Sequence, residues 1–459
     1  MQENVTENPL GTKKISTLVR EFSIPSVVSM LVSSLYNVVD QIFIGQGVGY
    51  YGNAATTVAF PLTTICLAIM LSIGIGSAAQ FSLYLGRKEE DEAAKVVGNG
   101  FLMMVTFGTV YAVLAEIFLP QLLILFGATS EVYPYALSYT RIVLLGMPFL
   151  VVLNGLSNLA RADGSPKYSM NTLVMGGIIN TILDPIFILG FKWGVAGGAA
   201  ATVIGQLASF VSAILYLKKF KRVKLERRHF KMTGQRIIRT LTMGMSNGIT
   251  QISNTIVQIV LNQSLVHYGA ATEYGSDIPL AINGIVAKVN SLLLAFFIGV
   301  QQGMQPIVGF NYGAKKFSRV KETYKLCAII DFTLGTIGFF FFEVFPRQII
   351  SMFGNSDSEL YMQFGVMFMR AWLFMSMVNG LQMLSSNFFA AIGKPIKGAI
   401  LSLTRQVIFL MPLIIILGAV IGLQGVVISA PIADFMAFVV VMIFINNEMK
   451  SITVLESYN

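Results

Sequence analysis

The sequence predicts an all-α polytopic membrane protein, with 12 transmembrane helices in two six-helix lobes related by pseudo-two-fold symmetry. Three observations carry this reading. Only 12% of the 459 residues are charged, 54% are hydrophobic and the mean hydropathy is +0.70, whereas a soluble domain carries about 25% charged residues. Lys and Arg fall almost entirely on alternate connecting segments, and the second half of the chain repeats the first.

Twelve spans are expected near 18–45, 54–84, 93–118, 133–160, 167–190, 194–217, 237–266, 277–310, 318–345, 361–390, 396–420 and 424–446. Each exceeds the ~20 residues that cross a bilayer as a helix. Barrel strands would be about ten residues long and strictly alternating, which these runs are not. The opening stretch, "MQENVTENPLGTKKISTLVREF", is polar for about its first twenty residues and reads as a short tail, not as a signal peptide. Cys66 and Cys327 fall inside apolar segments and read as packing residues, not as a disulfide framework.

Orientation follows from the basic residues. With the amino terminus cytoplasmic, the inner segments hold Lys13, Lys14 and Arg20, then Arg87, Lys88 and Lys95, then Arg161 and Lys167. Nine more lie in "KKFKRVKLERRHFKMTGQR", followed by Lys315, Lys316, Arg319 and Lys321, by Lys394 and Lys397, and by Lys450. The outer loops hold only Lys192 and Arg347. This asymmetry puts both termini inside, at a multi-pass cell (plasma) membrane. It also accounts for the net charge of +9 without a nucleic-acid partner.

The halves align at constant offsets. Asn37, Gln41, Ile42 and Gln46 of "NVVDQIFIGQ" meet Asn254, Gln258, Ile259 and Gln263 of "NTIVQIVLNQ", all in one register. Beyond a longer outer loop the register shifts and then holds again: Gly76 and Gly86 meet Gly303 and Gly313, Phe126–Gly127 meets Phe353–Gly354, Arg141 meets Arg370, and "GSP" (164–166) meets "GKP" (393–395). The expected division is an amino-terminal six-helix lobe (1–217), a basic cytoplasmic linker (218–236) and a carboxyl-terminal six-helix lobe (237–459). Parallel repeats of this kind are a transporter architecture, with the substrate path between the halves.

The repeat is also an internal control, because chemistry that only one half carries is not scaffold. Asp40 meets Val257, Asp184 falls opposite Met411, Pro412 and Leu413, and Pro25 meets Thr242. Asp40, Asp184 and Thr202 sit roughly 8–12 Å below the outer face, counted at 1.5 Å per residue. Asn180 lies one turn before Asp184, on the same face. Two carboxylates, an amide and a hydroxyl at one depth suit Na⁺ through oxygen ligands or H⁺ through paired acids. An Asp at a helix centre costs about 2.5–3.5 kcal/mol on insertion scales, so such residues are functional candidates.

Ser26, Ser29, Ser33, Asn37 and Asp40 form one polar stripe on the first span, and Asn247, Gln251, Asn254, Gln258 and Asn262 form an uncharged one on the seventh. Both are expected to line the central path. Substrate-cavity candidates are Ser33, Tyr36, Asn37, Met147, Asn154, Asn158, Gln251 and Asn254. The 23 Met and 34 Phe residues suit promiscuous binding of flat apolar compounds. Arg141 and Arg370 recur in both halves and read as structural, whereas Lys288 and Asp434 fit gating or a polar network as well as scaffold; Asp331 and Arg405 also lie within second-half spans. His229 falls in the basic loop and His267 near an outer end, which argues against a catalytic or metal histidine.

"YNVVDQIFIGQGVG", "GNAATTVAFP", "QPIVGFNYGAKK", and the "DGSP" and "IGKP" turns, taken with the 6+6 arrangement, resemble the multidrug and toxic compound extrusion (MATE) family along the whole chain, in its MepA-like bacterial branch. The resemblance implies two six-helix lobes in a V, alternating access, and export of organic cations or amphipathic drugs in exchange for H⁺ or Na⁺. It implies a membrane transporter, not an enzyme, acting as a monomer without a cofactor. Family members with an amino-lobe cation site use residues that map onto Asp40, Asn180, Asp184 and Thr202, and Pro25 matches the proline at which the first span bends in some members. Other members use acids in spans seven and ten, which contain no Asp or Glu here. The alternative is a lipid-linked oligosaccharide flippase of related architecture, which would need a cationic central cavity. An intramembrane aspartyl protease would need a "GxGD" stretch, which the sequence lacks, and no 6+6 repeat. A passive channel would usually be a ring of subunits, not one duplicated chain.

Overall fold

The structure is a computed structural model that describes residues 8–353 and 359–458. The first seven residues of the polar tail, and Gly354 of the repeated Phe–Gly pair, lie outside the described residues. The first lobe contains α1 (Ile15–Val48), α2 (Tyr50–Gly86), α3 (Glu90–Ile117), α4 (Leu119–Leu125), α5 (Tyr133–Ala162), α6 (Pro166–Pro185) and α7 (Val195–Tyr216). The second contains α8 (Gly234–Gly269), α9 (Asp277–Gly313), α10 (Phe317–Val344), α11 (Pro346–Ser351), α12 (Glu359–Trp372), α13 (Ser376–Ala391), α14 (Pro395–Leu403), α15 (Met411–Ile421) and α16 (Leu423–Ser457).

Among the described residues, ten helical segments are long and apolar enough to cross a membrane, and α12 with α13 makes an eleventh, bent by 44°. The twelfth is α8, 36 residues long, whose apolar character is diluted by its own Asn and Gln stripe. All twelve expected spans are therefore helical. One differs in form: residues 361–390, expected as a single helix, break at Leu373–Met375. No Pro or Gly marks that break; Ser376 closes onto α10, its hydroxyl reaching the carbonyl of Gly335.

The repeat extends beyond the spans. The short helices α4 and α11 begin in the register of the Phe126–Phe353 pair, each with Pro in its first turn. Gly194 and Gly422 cap α7 and α16 with φ of 61° and 63°, a left-handed conformation that suits glycine. Arg141 bonds Glu116 at 3.0 Å. Its repeat partner Arg370 donates to the carbonyl of Glu343 at 2.7 Å, and Glu343 is the repeat counterpart of Glu116. Both arginines thus brace the same corner of each lobe.

The lobes meet at the end of the bundle that carries the described chain ends and the linker. There α1 packs on α9, and α2 on both α8 and α9. The repeated glycines make this possible. A methyl group on Gly86 would overlap the carbonyl oxygen of Phe310, and one on Gly313 would overlap that of Leu83. Gly76 lies against Thr240 and Gly244, Gly299 against Val27, and Gly303 against Ser23. Cross-lobe bonds cluster at the same end: Gln80 to Thr240 at 3.0 Å, Gln305 to the Ile75 carbonyl at 3.0 Å, and Arg239 to Tyr84 at 2.7 Å. Towards the opposite end the facing helices are exposed at Asn37, Val38, Gln41, Ile252, Lys288 and Leu292, so a cleft opens between the lobes.

The linker is docked, not loose. Asp163 accepts from Tyr216 and from the backbone amides of Lys221 and Arg222. His229 accepts the Glu226 amide at Nδ1 and lies 3.1 Å from Asp91 at Nε2. A histidine of the basic loop is thus a clasp between the linker and α3.

Candidate cation site

Asp184 is fully buried at the end of α6, where Pro185 and the π-helical turn Ile186–Gly190 interrupt the regular ladder. Asn180, one turn earlier on the same face, donates Nδ2 to Asp184 Oδ1 at 3.2 Å and to Thr202 Oγ1 of α7 at 3.2 Å. Small residues at the start of α7, Gly197 and Gly198 among them, allow it to approach the π-turn and Ile44 closely. Asp40 of α1 is also buried, and its carboxyl group lies beside that of Asp184. The structure brings all four residues together.

Among the described residues, three oxygens of this cluster are buried and meet no donor: Asp40 Oδ1, Asp184 Oδ2 and Asn180 Oδ1. A buried carboxylate oxygen without a donor is costly, and a cluster of them more so. A proton shared by the two acids, or a hard cation bound by oxygens, fits the donor set. Tyr36 and Tyr139 flank the acids. Ile44, Ile188 and Val195 form a small apolar cluster beside them, one turn from Asp40 and Asp184 towards the open end. Tyr139 was not among the expected site residues. It lies roughly 80° around α5 from Met147, so no single stripe in the sequence marked it.

The cavity candidates divide. Asn37 and Asn254 are exposed, and Ser33, Tyr36, Asn154 and Gln251 are half-buried. Met147 is 1% exposed and packs in the amino-lobe core, and Asn158 is buried and accepts from Arg161, so neither lines an open cavity in this conformation. The α1 stripe also differs from expectation. Ser26 and Ser29 are each 2% exposed and return their hydroxyls to the carbonyls of Phe22 and Pro25. The α1 face that meets α9 is instead marked by Ser23 and Val27. The centre of the stripe is turned roughly 100° from it, at 100° per residue, so Ser26, Ser29 and Asp40 are buried while Asn37 stays exposed. The helix itself continues through Pro25.

In the second lobe, Arg405 bonds Asp434 at 2.5 Å, which gives Asp434 a structural partner. Asp331 is fully buried and neither of its oxygens meets a donor.

The MatE family model matches residues 25–186 and 248–416, one stretch in each lobe. The chain is 27% identical over 399 residues to the probable multidrug resistance protein YoeA of Bacillus subtilis, covering 84% of each chain. It is 24% identical over 436 residues to the multidrug export protein MepA of Staphylococcus aureus, covering 92% of each. A solved structure described as the outward-facing conformation of a multidrug resistance MATE family transporter of the MOP superfamily superposes with a TM-score of 0.91 at 22% identity, over 98% of this chain and all of that one. The resemblance read from the sequence and the fold class are both borne out.

Proposed function

For this chain, which belongs to the MatE family, we propose secondary active multidrug efflux: organic cations and amphipathic drugs leave through the cleft in exchange for H⁺ or Na⁺. The observation that carries the antiport reading is the convergence of three donor-less buried oxygens, on Asp40, Asp184 and Asn180, beside Thr202. The positive-inside pattern supports a cytoplasmic location for both termini. On that orientation the lobes are closed inside and the cleft faces outwards.

The coupling ion enters from the open end and neutralises the acid pair. Neutralisation removes the repulsion between Asp40 and Asp184 and lets α1 reshape at Pro25, where no backbone N–H is available to bond. α1 packs on both α6 and α9, so its shape is felt at the lobe interface. The drive available is about 2.3 kcal/mol per charge per 100 mV, plus the ion gradient. Asn37, Gln251 and Asn254 supply neutral polar contacts along the substrate path, and Ser33 and Tyr36 lie behind them towards the acids.

The test is export of a fluorescent organic cation from vesicles containing the purified chain, with pH and Na⁺ gradients imposed separately. Export driven by one gradient is expected, and its dependence names the ion. Dye movement that ignores both gradients would overturn antiport.

A further inference from the structure

Lys288 lies three turns into α9, about 16 Å along its axis and near the middle of a hydrocarbon core of ~30 Å. A lysine at that depth is rare and needs a reason. It is exposed, and among the described residues the ion pairs of the second lobe do not include it.

Its direction is fixed by contacts lower on the same helix. Gly299 touches Val27, Gly303 touches Ser23, Gln302 lies beside Met30, and Gln305 bonds the Ile75 carbonyl. At 100° per residue, Lys288 projects within about 20° of Gly299. The exposed residues of the upper half, Gly284, Ala287, Lys288, Ser291 and Leu292, all lie on this lobe-facing side, whereas Ile285, Val286, Val289 and Leu293 are buried in the second lobe's core. The ammonium therefore faces the cleft, not lipid. α1 runs antiparallel to α9, so Val38, as far beyond Val27 as Lys288 is before Gly299, stands opposite at the same level. Gln41, Phe60, Ile65 and Ile252 continue that apolar and neutral wall, all exposed. The acids Asp40 and Asp184 are buried behind it, inside the first lobe.

We propose that Lys288 is a specificity-determining residue of the central cleft, which selects flat amphipathic guests carrying a single carboxylate or a comparable monoanion over the same guests without that charge. This rests on the efflux reading and names the residue that discriminates at its site. A lone cation between apolar walls penalises a purely cationic guest and rewards one that brings an anion to this depth. One ammonium matches one negative charge, and so does not supply the site that a pyrophosphate would need.

The experiment is equilibrium binding, by fluorescence anisotropy, of two dyes to the purified full-length chain. One is a rhodamine with a free carboxylate; the other is the same rhodamine with that carboxyl esterified. Wild type is expected to prefer the acid dye. Lys288→Gln should weaken the acid dye about tenfold or more, the size of a charge-assisted bond, and tighten the ester dye, so the preference reverses. Lys288→Arg should keep the wild-type preference. Equal affinities of wild type for the two dyes, or a parallel loss of both in Lys288→Gln, would overturn the proposal. The two readings separate in vesicles: wild type with the dye preference but no gradient-driven export removes antiport alone, and export without the preference removes Lys288 alone.

Discussion

Where the first lobe carries Asp40, Asn180, Asp184 and Thr202, the second carries Val257, Phe409, Leu413 and Ala430, in the registers fixed by Asn37–Asn254, the "GSP" and "GKP" turns, and Gly194–Gly422. All four replacements belong to, or pack on, the second lobe's apolar core. The exchange runs the other way too. Arg405 and Asp434 stand where the first lobe has Gly176 and Gln206, and Asp331 stands where it has Met104. The backbone is duplicated, but its buried polarity is not. The difference lies in compensation. Arg405 neutralises Asp434 through Oδ1, although Oδ2 meets no donor, and Asp331 is a single acid, whereas Asp40 and Asp184 meet as a pair of like groups. Among the described residues, only the first lobe buries two facing acids, the arrangement whose repulsion a proposed incoming cation would resolve.

The largest expected effect breaks this comparison at the acids. Asp40→Asn and Asp184→Asn keep the shape of the side chains and remove the charge. Each should reduce gradient-driven export to the level of protein-free vesicles, while the chain stays monodisperse in detergent. Export at wild-type rates in both variants would mean that coupling does not reside in the first lobe.

The next effect falls equally on the two lobes. Gly86 and Gly313 face each other's helices across the pseudo-two-fold axis, and each abuts a carbonyl. Gly86→Val and Gly313→Val should destabilise the closed end by similar amounts, about 1–3 kcal/mol by overpacking. Both should raise the labelling of a cysteine at Gln80, buried in that seam. A large effect from one glycine alone would show that the interface is less symmetric than its contacts.

A smaller difference is expected in solvent access. Cysteines at Asn37 and Gln41 should react with a hydrophilic thiol reagent faster than cysteines at Ser26 and Ser29, which are buried and bonded to their own helix. Reactivity at Ser26 and Ser29 equal to that at Asn37 would restore the view of the stripe as a water-facing seam.

Much of this is legible in the sequence. Apolar runs give spans because a bilayer sets their length, and the repeat gives the lobes because equivalent residues do equivalent packing. The acid cluster can be read because a carboxylate in an apolar run has few structural excuses. Other features cannot be read. Periodicity shows that Ser26, Ser29, Ser33, Asn37 and Asp40 share a face, but not which neighbour that face meets; Gly299 and Gly303 on another helix decide that. The break before Ser376 has no Pro or Gly to announce it, since it is set by contact with Gly335. Lys288 fits scaffold as well as function until the contacts of Gly299 and Gly303, lower on the same helix, give its direction.

The smallest expected effect sharpens the comparison most, because it asks for a change in stability without a change in coupling. Val257 is 5% exposed within the second lobe's core and holds the position of Asp40. Val257→Ala removes two methyl groups from a packed site and should cost on the order of 1–3 kcal/mol, read as a lower thermal midpoint. The number of cations exchanged per substrate should not move, since no polar group has been touched. Asp40→Val is the mirror experiment. It gives the first lobe the residue of the second and removes a buried acid that lacks donors on one oxygen. Its thermal midpoint should hold or rise, and export should lose its dependence on the gradient. The two variants therefore move stability and coupling in opposite senses. If Asp40→Val stayed coupled, or Val257→Ala lost coupling at wild-type stability, the lobes would share the chemistry and the repeat would not separate scaffold from function.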